Sequence, residues 1–512
     1  MTAVRERWAE RMATVAAVAV PFVLYVKTMA PTVYGLDSAE LAAGAYVLGI
    51  VHAPGAPTFL LVAHAFTWLP FGDVGYRVNL VSATSAAVAL GFLFAVLRRL
   101  EVPRAPALAG CWWLATTYYY WISALAAELY APHVCFLAAL LWLALRFREQ
   151  GRPRDLIAFA GLFGLALGNH LAIAFALPGL QVLLLGSPRP PWRDLRLTAT
   201  AAVALLAGAS VYAYLPLRAA AGVGMNYALE RGVDVTTADG FAWMLSGRMF
   251  EQQLFAIPLI ELPREFGWFA FRLWSNFFGL ACALGIVGGL AGLRRRRLDD
   301  IAIALLLIGH LAFVLTYDVA DKELMLLPAF FAWGIWSVRG AVVACAQAGV
   351  RSWAAGLLLA LALGSFAINL GAADASDDDS ARERGETLLA FLPEDALYLG
   401  DWGDASVVEY LQRVEAERPD VTLLNAFLVR GSARRRRISE HLAGGGAAFA
   451  SATLGPALPP WRTETIAACA WLRIRAGAPV EPWSGPPGPD VRAPDLGAGA
   501  ASGSSWRGGS AQ

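Results

Sequence analysis

Asn79-Leu-Val-Ser-Ala-Thr-Ser-Ala-Ala-Val-Ala-Leu-Gly-Phe-Leu-Phe-Ala-Val-Leu97 contains no acidic or basic side chain and stops at Arg98-Arg99. A helix needs ~20 mainly apolar residues to cross the hydrocarbon of a bilayer, so this stretch reads as a membrane span. Similar runs lie at 105–127, 129–145, 156–186, 197–217, 273–293, 301–317, 324–338 and 352–373. The run 12–30 is interrupted only by Lys27, close enough to one end to snorkel. Composition agrees, with 57% hydrophobic and 16% charged residues against ~25% charged in soluble chains. The chain reads as an α-helical polytopic membrane protein.

The arginines after Leu97 also set the orientation, because basic residues gather in short cytoplasmic loops. With Arg5, Arg7 and Arg11 inside, the loops 98–104, 146–154, 188–196, 294–297 and 339–351 fall inside too, while the short outside loops hold only Arg77 and Lys322. Keeping that parity requires the long run 156–186 to be two short helices broken near Gly168-Asn169-His170. The result is about eleven transmembrane helices with the N-terminus cytoplasmic. The basic start and first apolar stretch lack a small-residue cleavage site, so we expect a retained helix rather than a removed signal. In the run 41–72, His52-Ala-Pro-Gly-Ala-Pro57 cannot continue a helix, and residues 31–78 are expected to form a first outside loop with interfacial helices. Residues 218–265 make a second long outside loop. The expected membrane domain is thus 1–373, in the inner (cytoplasmic) membrane of the cell.

After 373 the pattern changes. Residues 374–475 read as a small soluble α/β extracytoplasmic domain, with strands at 396–400 and 421–425 around a helix at 405–417. The Gly/Pro/Ala/Ser-rich tail 476–512 reads as disordered. Net charge is +1, from 41 basic and 40 acidic side chains, which gives no reason to expect a nucleic-acid partner. Five cysteines lie far apart without a CxxC pair, so neither a disulfide framework nor a zinc knuckle is expected. No HExxH, Walker loop or strand-borne GxGxxG occurs. We therefore expect no cofactor; a divalent cation is conceivable but has no motif behind it.

Under this topology Asp37, Glu40, His52, Arg77, Asn79, Glu128, His133, Asn169, His170, Arg218, Asp318, Asp321 and Glu323 all sit on the outer side. Charges near lipid usually line an interior site, and convergence from separate segments suggests an extracytoplasmic active site. Asp37 and Glu40, at i and i+3, share a helix face and suit general-base work, although the same pattern serves as a capped acidic first turn. Arg77 and Arg218 are suited to phosphate but could equally anchor the interface. His52, Asn79, Glu128, His170 and Asp321 complete the expected donor- and substrate-binding set.

These residues occur in recognisable motifs. Ala-Pro-Thr-Val-Tyr-Gly-Leu-Asp-Ser-Ala-Glu (30–40), Val-Leu-Gly-Ile-Val-His-Ala-Pro-Gly-Ala-Pro (47–57) and Tyr-Arg-Val-Asn-Leu-Val-Ser-Ala (76–83) resemble a bacterial membrane family formerly of unknown function. Its animal relative is the transmembrane O-mannosyltransferase of plexin-type receptors. Ala-Glu-Leu-Tyr (127–130), Gly-Asn-His-Leu (168–171), Tyr-Leu-Pro-Leu-Arg (214–218) and 318–328 extend the likeness. The family more often reads His-Pro-Pro-Gly-Tyr-Pro where this chain has His52-Ala-Pro-Gly-Ala-Pro57, so an aromatic contact at 56 is lost. The resemblance implies a GT-C-like glycosyltransferase in which Asp37 is the catalytic carboxylate, with Glu40 beside it. The implied donor is a polyprenyl-phosphate sugar such as mannose, and the acceptor a hydroxyl of protein Ser/Thr or an envelope glycan. A lipid-linked sugar flippase or transporter would want polar residues through the membrane depth, and a non-catalytic envelope assembly protein would not need Asp37.

Overall fold

The computed structural model describes residues 2–319, 322–429, 431–457, 462–465 and 471–475; the expected disordered tail and Asp321 lie outside them. Helix α1 (Thr2–Thr28) leads into a loop carrying two short helices, α2 (Asp37–Val47) and α3 (Pro57–Phe66). They are separated where the prolines of the 52–57 stretch interrupt backbone hydrogen bonding. Helix α4 (Val74–Arg99) contains the run quoted first, capped at its start by Asp73, whose side chain accepts from the Tyr76 amide. Next come α5 (Arg104–Thr116), α6 (Tyr118–Ile122), α7 (Tyr130–Gln150) and α8 (Pro153–Leu167). The 156–186 run breaks at 168–170, as expected: α8 ends at Leu167, a 3-10 turn spans Leu171–Ala176 and α9 covers Leu177–Leu185.

Helix α10 (Leu195–Ala209) continues through a 3-10 turn into α11 (Tyr214–Ala220). The 218–265 region holds two short helices, α12 (Tyr227–Glu230) and α13 (Ala238–Leu245), before α14 (Leu262–Phe277) and α15 (Leu280–Arg294), which are bent by 109° at Phe278-Gly279. Helices α16 (Leu298–Val314), α17 (Leu327–Gln347) and α18 (Ala354–Ala373) complete the bundle. Six helices among the described residues are long and apolar enough to cross a membrane, or seven if the bent pair is one span. Shorter helices such as α5, α8 and α16 pack between them, and with these apolar helices the chain is a multi-pass membrane protein.

Lipid tails are as apolar as leucine, so close packing rather than water exclusion holds such helices together. Glycines let two pairs touch backbone to backbone. A Cβ on Gly288 of α15 would lie 2.0 Å from the Trp336 carbonyl oxygen of α17, and one on Gly208 of α10 would lie 2.2 Å from that of Gly161 on α8. One end of the bundle is fastened by ion pairs. Arg98 meets Glu10 at 2.8 Å, Arg146 meets Asp155 at 2.9 Å, and Arg297 meets Glu101 at 3.0 Å. Arg99 pairs with Glu149, Arg148 with Asp299 and Arg339 with the fully buried Asp300.

Beyond Ala373 helix and strand mix: α19 (Ser380–Phe391), β1 (Leu397–Gly400), α20 (Trp402–Val414), β2 (Thr422–Asn425), α21 (Gly431–Ala443), β3 (Ala448–Ser451), β4 (Arg462–Thr465) and β5 (Trp471–Arg475). The sheet order is β2-β1-β3-β5-β4, with β1 parallel to β2 and β3. Helix α20 starts three residues earlier than the pattern predicts, because Asp401 caps it by accepting from the Asp404 amide. It lies against α2, which brings this region to the end of the bundle away from the ion pairs.

Candidate active site

Asp37 is the first residue of α2. The backbone enters it through Leu36, held at φ 57, a left-handed geometry that costs a side-chain-bearing residue ~1–3 kcal/mol unless its surroundings enforce it. One turn on, Glu40 is fully buried. Its two oxygens take the His52 backbone N–H and the His52 Nδ1, each at 2.6 Å. The loop bearing His52 is fixed from outside: the Ile50 amide donates to the Met225 carbonyl at 2.8 Å, and the Tyr214 hydroxyl donates to that of Gly49 at 2.7 Å. Burial acts to strip the His52 ring proton, but the charge of Glu40, and then of Asp37, outweighs it and raises its pKa to about 10. The imidazole is therefore a cation at neutral pH, balanced by Glu40.

Asp37 and His52 face a cavity of about 1110 Å³, whose wall also includes Glu128, His170, Phe250, Gln253, Arg264, Glu265, Trp268, Lys322, Trp402 and Phe427. The His170 Nδ1 accepts from the Ala172 amide at 3.1 Å as the N-cap of the 3-10 turn. In the neutral ring, this leaves Nε2 protonated as a donor. Lys322 donates to Glu265 at 2.7 Å and sits 5.1 Å from the Trp268 ring centroid. Arg264 is largely exposed and pairs only loosely with Glu261, at 3.7 Å.

Asp37, Glu40, His52, Glu128 and His170 are thus brought together, although Glu40 stands behind His52 rather than on the wall. Arg77 and Arg218, expected at a phosphate, do not line this cavity, and their guanidinium groups donate to backbone carbonyls. Arg218 donates to Leu48 and Val47 at 2.8 and 3.2 Å, at the end of α2. Arg77 donates to Thr67 at 2.6 Å, at the end of α3, and to Phe71 and Gly72. Helix C-termini leave carbonyls without partners and favour cations. The buried Asn79 is also a strut: its Nδ2 donates to the carbonyls of Ala30 and Thr32, and its Oδ1 accepts from the Ala127 amide at 2.9 Å. That bond steadies the segment bearing Glu128.

Sequence reading missed Lys322 and Arg264 as wall residues, and it missed Trp402 altogether. The lysine carried a signal, being one of only two in the chain and lying in a short loop expected outside. Trp402 gave none, since its role depends on a contact with Asp37, 365 positions earlier: its indole N–H donates to Asp37 Oδ1 at 2.7 Å.

Asp37, Glu40 and His52 each offer a ligand atom within 4.8 Å of the others, a donor set that fits a divalent cation. Such an ion would have to displace the ring proton that His52 shares with Glu40.

Residues 37–190 match the family model of the protein O-mannosyl-transferase TMEM260 N-terminal domain. The chain is 34% identical over 212 residues to the protein O-mannosyl-transferase TMEM260 of Mus musculus, covering 40% of this chain and 30% of that protein. It is 21% identical over 460 residues to the Dictyostelium discoideum protein of the same name, covering 79% and 56%. The chain therefore spans about a third to a little over half of these curated relatives. In fold it resembles ArnT from Cupriavidus metallidurans bound to undecaprenyl phosphate, with a TM-score of 0.58 at 14% identity over 91% of this chain and 97% of that one. It also resembles the oligosaccharyltransferase AglB of Archaeoglobus fulgidus, in complex with an inhibitory peptide and a dolichol-phosphate, with a TM-score of 0.55 at 11% identity over 88% and 70%. The chain is thus similar to the TMEM260 protein O-mannosyl-transferases, most clearly to their N-terminal domain at 37–190, and shares its fold with ArnT and AglB.

Proposed function

We propose that this protein is an inverting glycosyltransferase that moves a sugar, mannose by the relatives' name, from a polyprenyl phosphate to a protein or glycan hydroxyl outside the cytoplasm. The observation that carries the reading is Asp37 on the wall of a large cavity, backed by the Glu40–His52 pair and faced by His170, Lys322 and Arg264. Asp37 takes the acceptor proton as the hydroxyl oxygen attacks the anomeric carbon. The bond from that carbon to the phosphate oxygen breaks, and polyprenyl phosphate leaves from the opposite face with the bonding pair. The His170 Nε2–H and the cations of Lys322 and Arg264 stabilise the charge gathering on the phosphate.

Asp37, Glu40, His52 and Glu128 form the acceptor side in this reading, and His170, Lys322 and Arg264 the donor side. Asp321, in the segment next to Lys322, remains a proposed donor contact. The exposed apolar residues Leu259, Ile260, Phe266, Phe271 and Trp274, in and before α14, suit a membrane surface and would keep the lipid tail in the bilayer while its phosphate reaches the cavity. A cation at Asp37–Glu40–His52 would supply Lewis-acid chemistry on the acceptor side, but it would have to displace the proton that His52 shares with Glu40; we expect transfer to survive a chelator.

The test is transfer from radiolabelled polyprenyl-phosphate mannose to endogenous protein and glycan, in membranes carrying wild type or Asp37→Asn. Label transferred by wild type and lost in the variant at equal expression supports the reading and identifies the acceptor fraction. Equal transfer by both would remove Asp37 as the base. No transfer by wild type from mannose or other polyprenyl-phosphate sugars would overturn the reading.

A further inference from the structure

The region beyond Ala373 reaches the cavity through one residue above all. Trp402 opens α20, and Asp401, which caps that helix, is itself held by the hydroxyls of Ser451 and Thr453 at 2.8 and 2.7 Å. The indole sits in an aromatic cage, edge to face with Phe427, Tyr227 and His52 at centroid distances of 5.2, 5.8 and 5.9 Å. Tyr227 is anchored in turn by its hydroxyl, which donates to Glu409 of α20 at 2.7 Å. The tryptophan therefore has little freedom, and its N–H points at Asp37 Oδ1 at 2.7 Å. A Cβ added to neighbouring Gly403 would rest 3.6 Å from Leu36 Cδ2, so the same turn packs on the strained residue that introduces Asp37.

We infer that Trp402 is a positioning residue for Asp37, and that the segment beyond Ala373 completes the catalytic site by fixing one oxygen of that carboxylate. A carboxylate on a short side chain rotates freely unless one oxygen is tied. Binding Oδ1 to a rigid donor leaves Oδ2 as the oxygen presented to the acceptor hydroxyl, in one orientation. Small losses of alignment at a reacting atom cost ~100-fold in rate. Trp402 also lines the cavity beside Phe427, so the acceptor passes under a wall built by this segment.

The inference rests on the glycosyl-transfer reading, and the experiment separates the two. Trp402→Phe keeps an aromatic ring and removes the donor. Measured in full-length protein with polyprenyl-phosphate mannose, we expect kcat to fall 10- to 100-fold with KM for the lipid donor within 2-fold. The acidic limb of the pH profile should move upward, because a carboxylate that loses a donor holds its proton more tightly. A merely structural role would lower the amount of folded protein without moving that limb. A wild-type kcat and pH profile in the variant, or a change in KM alone, would overturn the inference.

Thermal unfolding of wild type, Asp37→Ala, Trp402→Phe and the double variant reads the same bond without any sugar donor. The two losses should be non-additive if the bond exists, and additive losses would overturn it. Non-additivity in a protein that transfers no sugar would sink the proposed chemistry and leave the contact standing. Should Trp402→Phe fail to fold, Phe427→Leu, which loosens the cage and keeps the donor, carries the kinetic test: we expect a smaller fall in kcat with the same direction of pH shift, and an unchanged profile would overturn the inference.

Discussion

Both ends of the helical bundle hold ion pairs, Lys322–Glu265 and Arg272–Glu323 among those at the cavity end, but Asp37 and Glu40 are held differently from the carboxylates at the far end. At one end carboxylates meet arginines: Asp155 with Arg146, Asp299 with Arg148, and Asp300 with Arg339. At the other, Asp37 meets an indole N–H and Glu40 meets a histidine, while Arg77 and Arg218 face only carbonyls. An arginine beside a carboxylate neutralises it and ends its chemistry; a tryptophan beside one orients it and leaves it basic. The bundle therefore closes its far end with full charge pairs and, at the cavity, leaves Asp37 on a neutral donor.

Paired substitutions can break that contrast. Asp37→Asn should lower transfer by about 100- to 10,000-fold, the range for loss of a general base, with little change in Tm. Asp300→Asn should do the reverse. Removing one partner of a buried pair costs about 3–5 kcal/mol, so folded yield in detergent should collapse while the rate per folded molecule holds. A Tm loss confined to Asp37→Asn would exchange the two roles.

A second prediction concerns pH. Because Glu40 raises His52 to about 10 in the folded protein, against ~6.5 unfolded, the stabilisation by this pair is fully present below pH 6.5. It is lost as pH rises through about 10. Tm measured from pH 6 to 10.5 should fall more steeply in wild type than in Glu40→Gln. Parallel curves would mean that His52 is not held as a cation.

Smaller effects separate the donor wall from the struts. Lys322→Met and Arg264→Met, assayed separately, should each raise KM for the lipid donor by up to ~10- to 100-fold, since single charged hydrogen bonds contribute ~1.5–3 kcal/mol. Arg264, being exposed, should show the lesser effect and the stronger sensitivity to salt. Smallest of all, Arg218→Met should cost the ~0.3–1 kcal/mol of a helix C-terminal cation, read as a slight fall in Tm, and leave KM unchanged. A rise in KM there would return Arg218 to the phosphate.

Much of this was legible in the sequence, and the reasons are physical. Spans announce themselves because lipid tolerates few charges, as in 79–97, and the break at 168–170 followed from parity and glycine. Asp37, Glu40 and His52 were legible because local spacing and motif both favour them. The roles of Arg77, Asn79 and Arg218 were not. A guanidinium near a helix end suits a phosphate and a row of bare carbonyls equally well, and only three-dimensional neighbours decide between them. The span count met the same limit, since α5, α8 and α16 are apolar but shorter than a full crossing.

The distance in sequence between Asp37 and Trp402 also bears on how the protein is made. At ~5–20 residues per second of synthesis, the 365 positions between them separate the two by roughly 20–70 s. Throughout that interval the first helices can enter the membrane and fold with Asp37 in place but without its indole partner. The nascent chain thus enters the bilayer with Asp37 not yet tied, and the carboxylate takes its fixed orientation only once Trp402 has been made.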